Sequence, residues 1–414
     1  MYYKLQGMAD IPKILLLLVL LYVLAAEGRR CLYSINSKDD LIVSSPVNNN
    51  GFCKSVVEPQ GYVCQEHKLT TEDGYILSMQ RIPVGRSGKT ADKPPVLLQH
   101  GIFNDGFTWL FNLPNESLAF ILADNGFDVW LANTRGTKYS RGHTTLSPND
   151  KAYWDWSWDE LVAYDLPTSF QYVFNQTGQK LHYVGHSLGT LMALAAFSQE
   201  KLLNMLRSAA LLCPIAHLNQ IPSPPTQFAA GVFLAEELYW LGLREFVPRG
   251  QAAVKLLEDI CHLPGINCSN VMTIFTGSNC CVNSSRMDIL LDHEPQPTAT
   301  KNLIHLAQMI RKGTIAMYDY DDQGENMVHY GQPTPPLYDM TSIPNDLPLF
   351  ISHGGKDMLS DVKDVQVLLD SLKDHDSDKL VVQFIEDYAH ADFVMGVNAN
   401  QVVYDPIMAF FRLN

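Results

Sequence analysis

Charge is scarce in this 414-residue chain, and positive charge scarcer still. Asp, Glu, Lys and Arg make up 18% of residues, with 30 Lys and Arg against 44 Asp and Glu, for a formal charge of -14. A chain this acidic, without a basic block, is poorly built to grip phosphate backbones, so nucleic acid is excluded as a partner. Also missing are C-x-x-C pairs and Cys/His clusters at finger spacing, which argues against a zinc site. Internal repeats and low-complexity stretches are absent beyond the N-terminus, so solenoid and fibrous classes drop out. No apolar run reaches the roughly 18 residues that a membrane span needs. What remains is 46% hydrophobic, enough for a large buried core and against wholesale disorder.

The longest apolar run, Ile14 to Leu24, follows Lys4 and Lys13 and precedes Ala25, Ala26 and Gly28. Positive charge, a short apolar core and small residues are the form of a secretory signal peptide, expected over 1–28. Its removal would leave the charge at -14, because Lys4 and Lys13 leave together with Asp10 and Glu27. Export, either outside the cell or into a lysosomal or vacuolar lumen, suits the eight cysteines and predicts at least one disulfide. Spacing does not reveal the pairing, although a bridge between adjacent Cys280 and Cys281 ranks below bridges to other partners. Four N-x-S/T sequons, at Asn115, Asn175, Asn267 and Asn283, are glycosylation candidates of an exported chain.

Along the body, Asp73-Gly74 between two alternating runs marks a hairpin. Apolar strand-like runs then alternate with helical ones: strands at 95–100, 128–132, 180–184 and 209–213, helices at 117–125, 158–174 and 190–200. That alternation predicts an α/β fold, a mostly parallel sheet with helices on both faces. The pattern breaks between 215 and 344, where helical and irregular text carries two proline clusters, and resumes at 347–353. The expected organisation is therefore a core over 29–214 and 345–414, split by a mainly helical cap or lid over 215–344. Such an insertion covers the carboxyl ends of the strands, where these folds bind ligands.

The chemistry centres on Gly185-His186-Ser187-Leu188-Gly189, a G-x-S-x-G set between a strand and a helix. Glycines on either side of the serine permit the sharp turn that lifts its oxygen into a cleft. A serine alcohol needs a base held by a third group, in the chain order Ser, acid, His. Asp357 and His390 each follow a predicted strand, which puts both beside Ser187 as catalytic candidates. Asp361 and Asp364 compete for the acid but sit on a predicted helix. His353, at a strand end, and His375, in a charged loop, compete for the base. The backbone amides of Ile102 and Leu188 are the expected oxyanion donors, with Phe103 as rival to Ile102. His100 and Asp105 form H-x-x-x-x-D, known from acyltransferases, but His100 reads better as a structural histidine. No metal and no organic cofactor is required by this scheme.

The motifs Leu98-Gln-His-Gly-Ile, Asn133-Thr-Arg-Gly-Thr-Lys-Tyr-Ser-Arg-Gly-His, Gly185-His-Ser-Leu-Gly, Gly354-Gly-Lys-Asp and Tyr388-Ala-His-Ala-Asp-Phe resemble the acid lipase family. That family of α/β-hydrolases includes gastric and lysosomal enzymes and plant relatives, and the resemblance runs from about Pro59 to the C-terminus. Leu188 stands where animal members typically carry Gln, and is similar to the plant-type triacylglycerol lipases. The resemblance implies hydrolysis of neutral lipid esters, triacylglycerols or steryl esters, at a lipid-water interface under a mobile lid. The apolar stretch 228–247, with Phe233, Leu238, Trp240 and Leu241, suits contact with acyl chains or a lipid surface. Two alternatives share these residues: an acyltransferase on the same nucleophile, and a non-catalytic lipid-binding protein on a degenerate hydrolase fold.

Overall fold

The computed structural model describes residues 51–250 and 271–414. The signal-peptide reading, Cys31, Cys261, Cys268 and Asn267 lie outside the described residues. The sheet starts with the expected hairpin, β1 (Gln65–Thr70) and β2 (Tyr75–Ile82), turning at Gly74 with φ +96°. It continues through β3 (Lys93–Gln99), β4 (Phe127–Ala132) and the two-residue β5 (Gly142–His143). The next strands are β6 (Leu181–His186) and β7 (Leu206–Leu212), then the short pair β8 (Glu245–Phe246) and β9 (Thr298–Ala299). β10 (Leu349–Gly354) and β11 (Leu380–Ile385) complete the set. The main sheet runs β1-β2-β4-β3-β6-β7-β10-β11, with β5 on β2. Pairing is antiparallel around β2 and parallel from β4 onward.

The parallel strands β4, β6 and β10 are buried at every position because both faces are covered, whereas the edge strand β11 exposes Val381, Val382 and Phe384. Successive side chains point to opposite faces and enter two separate cores. Leu97, Tyr183, Leu211 and Ile351 join one apolar cluster, while Val96, Leu98, Val184, Ala210, Leu212 and Phe350 join the other. α1 (Leu118–Asp124) belongs to the second face; α2 (Leu166–Thr177) and α3 (Leu188–Ser198) belong to the first. The helix expected over 158–174 is interrupted by a π turn at Leu161–Asp165, directly before Pro167. Proline offers no N–H to the turn behind it and clashes with a regular helix there. The widened turn places Pro167 in the first turn of α2 instead.

β10 pairs in parallel with β7, so everything between Leu212 and Leu349 is inserted between two neighbouring strands. Its helices are α4 (Pro224–Gly231), α5 (Leu234–Trp240), α6 (Val271–Thr276), α7 (Met287–His293), α8 (Thr300–Lys312) and α9 (Gln323–Tyr330). Ile215, Ile221, Met309, Ile315 and Met340 of this insertion pack into the core face that α3 occupies. That cover is why Leu188 through Phe197 are all buried, where a surface helix would show a polar stripe. Helices α10 (Val362–Ser371) and α11 (Asp405–Leu413) complete the chain.

The disulfide expectation divides. Cys53 joins Cys64, but Cys280 joins its neighbour Cys281, the pairing ranked low on local strain alone. Cys213 is a free, buried thiol. Of the sequons, Asn115 and Asn175 are exposed, whereas the Asn283 side chain accepts hydrogen bonds from Ser285.

Candidate active site

Ser187 stands between β6 and α3 with φ +54° and ψ -118°, a conformation costly for a residue with a side chain. The flanking glycines make it possible. A methyl on Gly185 would come within 2.8 Å of the Gly189 carbonyl, and one on Gly189 within 2.6 Å of the Gln99 carbonyl. The turn therefore closes only where both positions lack a side chain. Opposite the serine, a methyl on Gly101 would approach Ser187 Cβ to 2.9 Å. This places the loop after β3 directly against the nucleophile candidate.

That loop and α3 supply the oxyanion candidates. The Leu188 amide lies in the first turn of a helix, where N–H groups lack intrahelical acceptors and favour negative charge. Among the described residues no hydrogen bond occupies the Ile102 amide. Phe103 has φ +62°, and its carbonyl accepts the Gln296 amide at 2.7 Å, so the insertion fastens this loop. A cavity of about 10 Å³ lies here, bounded by Ile102, Leu188, Trp156 and, from the insertion, Pro297, Thr298 and Asn302.

Asp357 and His390 follow β10 and β11 as the strand reading required, and they meet. His390 Nδ1 donates to Asp357 Oδ2 at 2.8 Å, while Nε2 is buried and without a hydrogen-bond partner among the described residues. Burial alone would raise the Asp357 pKa. The His390 charge and hydrogen bond, with the Leu359 and Ser360 amides at 2.8 and 2.9 Å, instead hold it below the usual carboxylate value. The His390 carbonyl accepts from His186 Nε2 at 3.0 Å and from the Cys213 thiol at 3.5 Å, which ties the histidine loop to the serine turn. Cys213 was not anticipated from sequence, since a lone cysteine at a strand end carries no local signal. Its thiol pKa is raised by burial and by Asp357 beside it.

The competing residues are engaged elsewhere. Asp361 caps α10 through the Lys363 amide, and Asp364 accepts from the Gln220 amide. His375 bonds to the Leu347 carbonyl, and His353 lies beside Phe384. His100 donates through Nδ1 to the Gly101 carbonyl and accepts the Thr134 amide at Nε2, and burial lowers its pKa to about 4. Asp105 caps the short helix after it, so the two residues of H-x-x-x-x-D do not pair.

The candidates thus comprise a serine on a strained turn, an Ile102 amide without a hydrogen-bond partner among the described residues, and an acid-histidine pair after adjacent strands. Comparison with known proteins identifies the fold and the family. A model described as "Partial alpha/beta-hydrolase lipase region" matches residues 53–113, and one described as "alpha/beta hydrolase fold" matches 94–242. The chain is 50% identical to triacylglycerol lipase 2 of Arabidopsis thaliana over 366 residues, covering 87% of this chain and 88% of that one. The chain belongs to the acid lipase family. It is also 37% identical to human gastric triacylglycerol lipase, covering 84% of this chain and 88% of that one. The higher identity to the plant relative agrees with Leu188. Among solved structures, a monoglyceride lipase from Saccharomyces cerevisiae superposes with a TM-score of 0.54 at 15% identity, over 85% of this chain and 95% of that one, a likeness of fold alone. The protein is thus a carboxylic ester hydrolase of the α/β-hydrolase fold. No helix among the described residues is long and apolar enough to cross a membrane.

Proposed function

We propose that this acid lipase family member is an exported serine lipase acting on neutral lipid esters, triacylglycerols foremost and steryl esters by the same chemistry. The observation that supports the catalytic assignment is the His390 ring, bonded to Asp357 at Nδ1 and without a partner at Nε2 among the described residues, on a loop whose carbonyl is hydrogen-bonded to His186, the neighbour of the strained Ser187. Ser187 Oγ attacks the ester carbonyl while His390 Nε2 takes its proton. Asp357 stabilises the imidazolium and keeps the ring oriented. The Ile102 and Leu188 amides stabilise the oxyanion, and His390 returns the proton to the departing alcohol. Water, activated by His390 in turn, releases the fatty acid from Ser187. Every group in this scheme comes from the chain itself.

Residues 215–344 act as the cap. Ser187, Asp357 and His390 are all less than 7% exposed, and movement of the cap would open them to substrate. Its outer face supports an interfacial substrate: Trp240 is 81% exposed, with Phe233, Leu241, Leu243 and Val247 also exposed nearby in sequence. Export is supported by the leader-like N-terminus and by the Cys53–Cys64 disulfide. Asn115, Asn175, Asn267 and Asn283 are then its glycosylation candidates. The test is hydrolysis of a long-chain triacylglycerol emulsion by purified protein. Ser187→Ala should abolish it and abolish labelling by a fluorophosphonate, and turnover near the wild-type rate would reject the scheme. Glycerol or sterol added as a competing acceptor should yield free fatty acid as the main product, where an acyltransferase would yield new ester.

A further inference from the structure

One stretch of the insertion lies along the loops that bear the acid and the histidine. Gly277 forms an isolated antiparallel bridge with Asp357, and the Thr276 carbonyl accepts the His390 amide at 3.0 Å. Asn279 Oδ1 accepts the Ala391 amide at 3.0 Å. Further on, the Cys281 carbonyl accepts the Val397 amide at 2.9 Å, and Val282 bridges Gly396. Residues 276–282 thus form a strap.

At the centre of these contacts sits Asp392, two residues after His390 and fully buried. Among the described residues no Lys, Arg or His forms an ion pair with it. Its carboxylate instead gathers three backbone amides: Ala389 at 2.8 Å, Cys280 at 3.1 Å and Cys281 at 2.9 Å. A buried carboxylate without a counter-ion is unfavourable unless hydrogen bonds replace its water. Here they come from both partners, one from the residue before His390 and two from the strap. The adjacent cysteines acquire a reason in this geometry, since Cys280 and Cys281 present consecutive amides to the two oxygens of one carboxylate.

We propose that Asp392 is a positioning residue for the reaction, locking the His390 loop to the strap at 276–282 and so aiming His390 Nε2 at Ser187. The inference rests on the reading of His390 as general base. A loop displacement of about 1 Å at a general base costs on the order of 100-fold in rate without altering how substrate binds. Asp392→Asn replaces one acceptor oxygen by an NH2 that must face a backbone N–H, and Asn279→Ala removes the neighbouring strap contact.

The experiment measures kcat and KM of the purified protein on a soluble short-chain nitrophenyl ester. Rates are expressed per active serine, counted by titration with a fluorophosphonate. Asp392→Asn should lower kcat per active serine about 10- to 100-fold with KM within about twofold of wild type. Asn279→Ala should lower it about threefold to tenfold, and the double variant should fall short of the product of the two because both act through one loop. Wild-type kcat per active serine in Asp392→Asn overturns the proposal, because loss of folded protein alone lowers the count of serines and not their rate. If Asp392→Asn yields no titratable serine, Asn279→Ala decides alone, and an unchanged kcat there overturns the proposal. Hydrolysis surviving in Ser187→Ala would instead overturn the catalytic reading itself, so the two failures are distinguishable.

Discussion

α3 in the core and α5 in the insertion are both rich in apolar residues, yet they use them in opposite ways. α3 carries Leu188 through Phe197 without one exposed side chain, pressed between the sheet and the insertion. α5 buries Leu234 and ends in Trp240, which is 81% exposed. Burial of apolar surface drives folding in the first case; in the second the same kind of surface stays exposed and, on the proposed function, meets lipid. Composition does not separate the two. What separates them is position in the layers, one helix inside the sandwich and the other on its outer side.

The comparison breaks most severely in the core. Asp357→Asn should leave the fold intact and lower kcat on the order of 10⁴-fold, the effect of misorienting a triad histidine in other serine hydrolases. Steady-state kinetics on a soluble ester would check this, and a fall of less than tenfold would remove Asp357 from the scheme. At the seam between the regions, Gly277 has φ +95°, and a methyl there would meet the Lys356 carbonyl at 1.9 Å. Gly277→Ala should therefore destabilise the protein by roughly 2–4 kcal/mol, read from urea unfolding, and depress kcat as the strap lifts away. An unaltered unfolding midpoint would show that the strap is not held as described.

The seam also carries a pH signature. Burial raises the Asp105 pKa to about 6, and Glu294, reaching over from the insertion to the Asp105 amide at 3.4 Å, is likewise pushed up by burial and by Asp105 itself. Lys138 and Arg249 pull both carboxyls or one of them down without cancelling the effect. A folded-state pKa above the unfolded 3.8 means that the protonated form is favoured by folding. This stabilisation is fully present below about pH 4 and is lost as pH rises through about 6. Its size is on the order of 1–3 kcal/mol. Melting temperature should decline across that window, and Asp105→Asn, which keeps the Oδ1 cap to Phe107, should flatten the decline. A wild-type melting curve insensitive to pH between 4 and 6.5 would contradict it.

The smallest effect lies on the outer face. Trp240→Ser should change the soluble-ester rate little and lower the rate on emulsified triacylglycerol several-fold, matching roughly 1–2 kcal/mol of apolar contact with the surface. Equal losses on both substrates would mean that Trp240 supports the fold and not the interface.

The candidates for the site were legible because their signals are local. Gly185 and Gly189 bracket Ser187 within five residues, and Asp357 and His390 each follow an apolar run that reads as a strand. Parallel strands place their carboxyl ends along one edge of the sheet, and β10 pairs with β11, so the loops that bear Asp357 and His390 fall side by side. Asp392, Cys213 and the strap were not legible. Each acts through partners more than a hundred residues away, or through backbone amides whose direction no side chain announces. The Cys280–Cys281 bridge is illegible for the same reason, since two neighbouring residues carry no local sign of the loop around them.

The sequence by itself determined the α/β-hydrolase core, the family and the candidates for nucleophile, base and acid, because periodicity and motif spacing are encoded in consecutive residues. Only the tertiary structure decided which aspartate meets His390, how the insertion is fastened to the oxyanion and histidine loops, and which apolar helix stays outside. Those outcomes depend on contacts between distant segments, and such contacts exist only once the sheet has set where each loop ends.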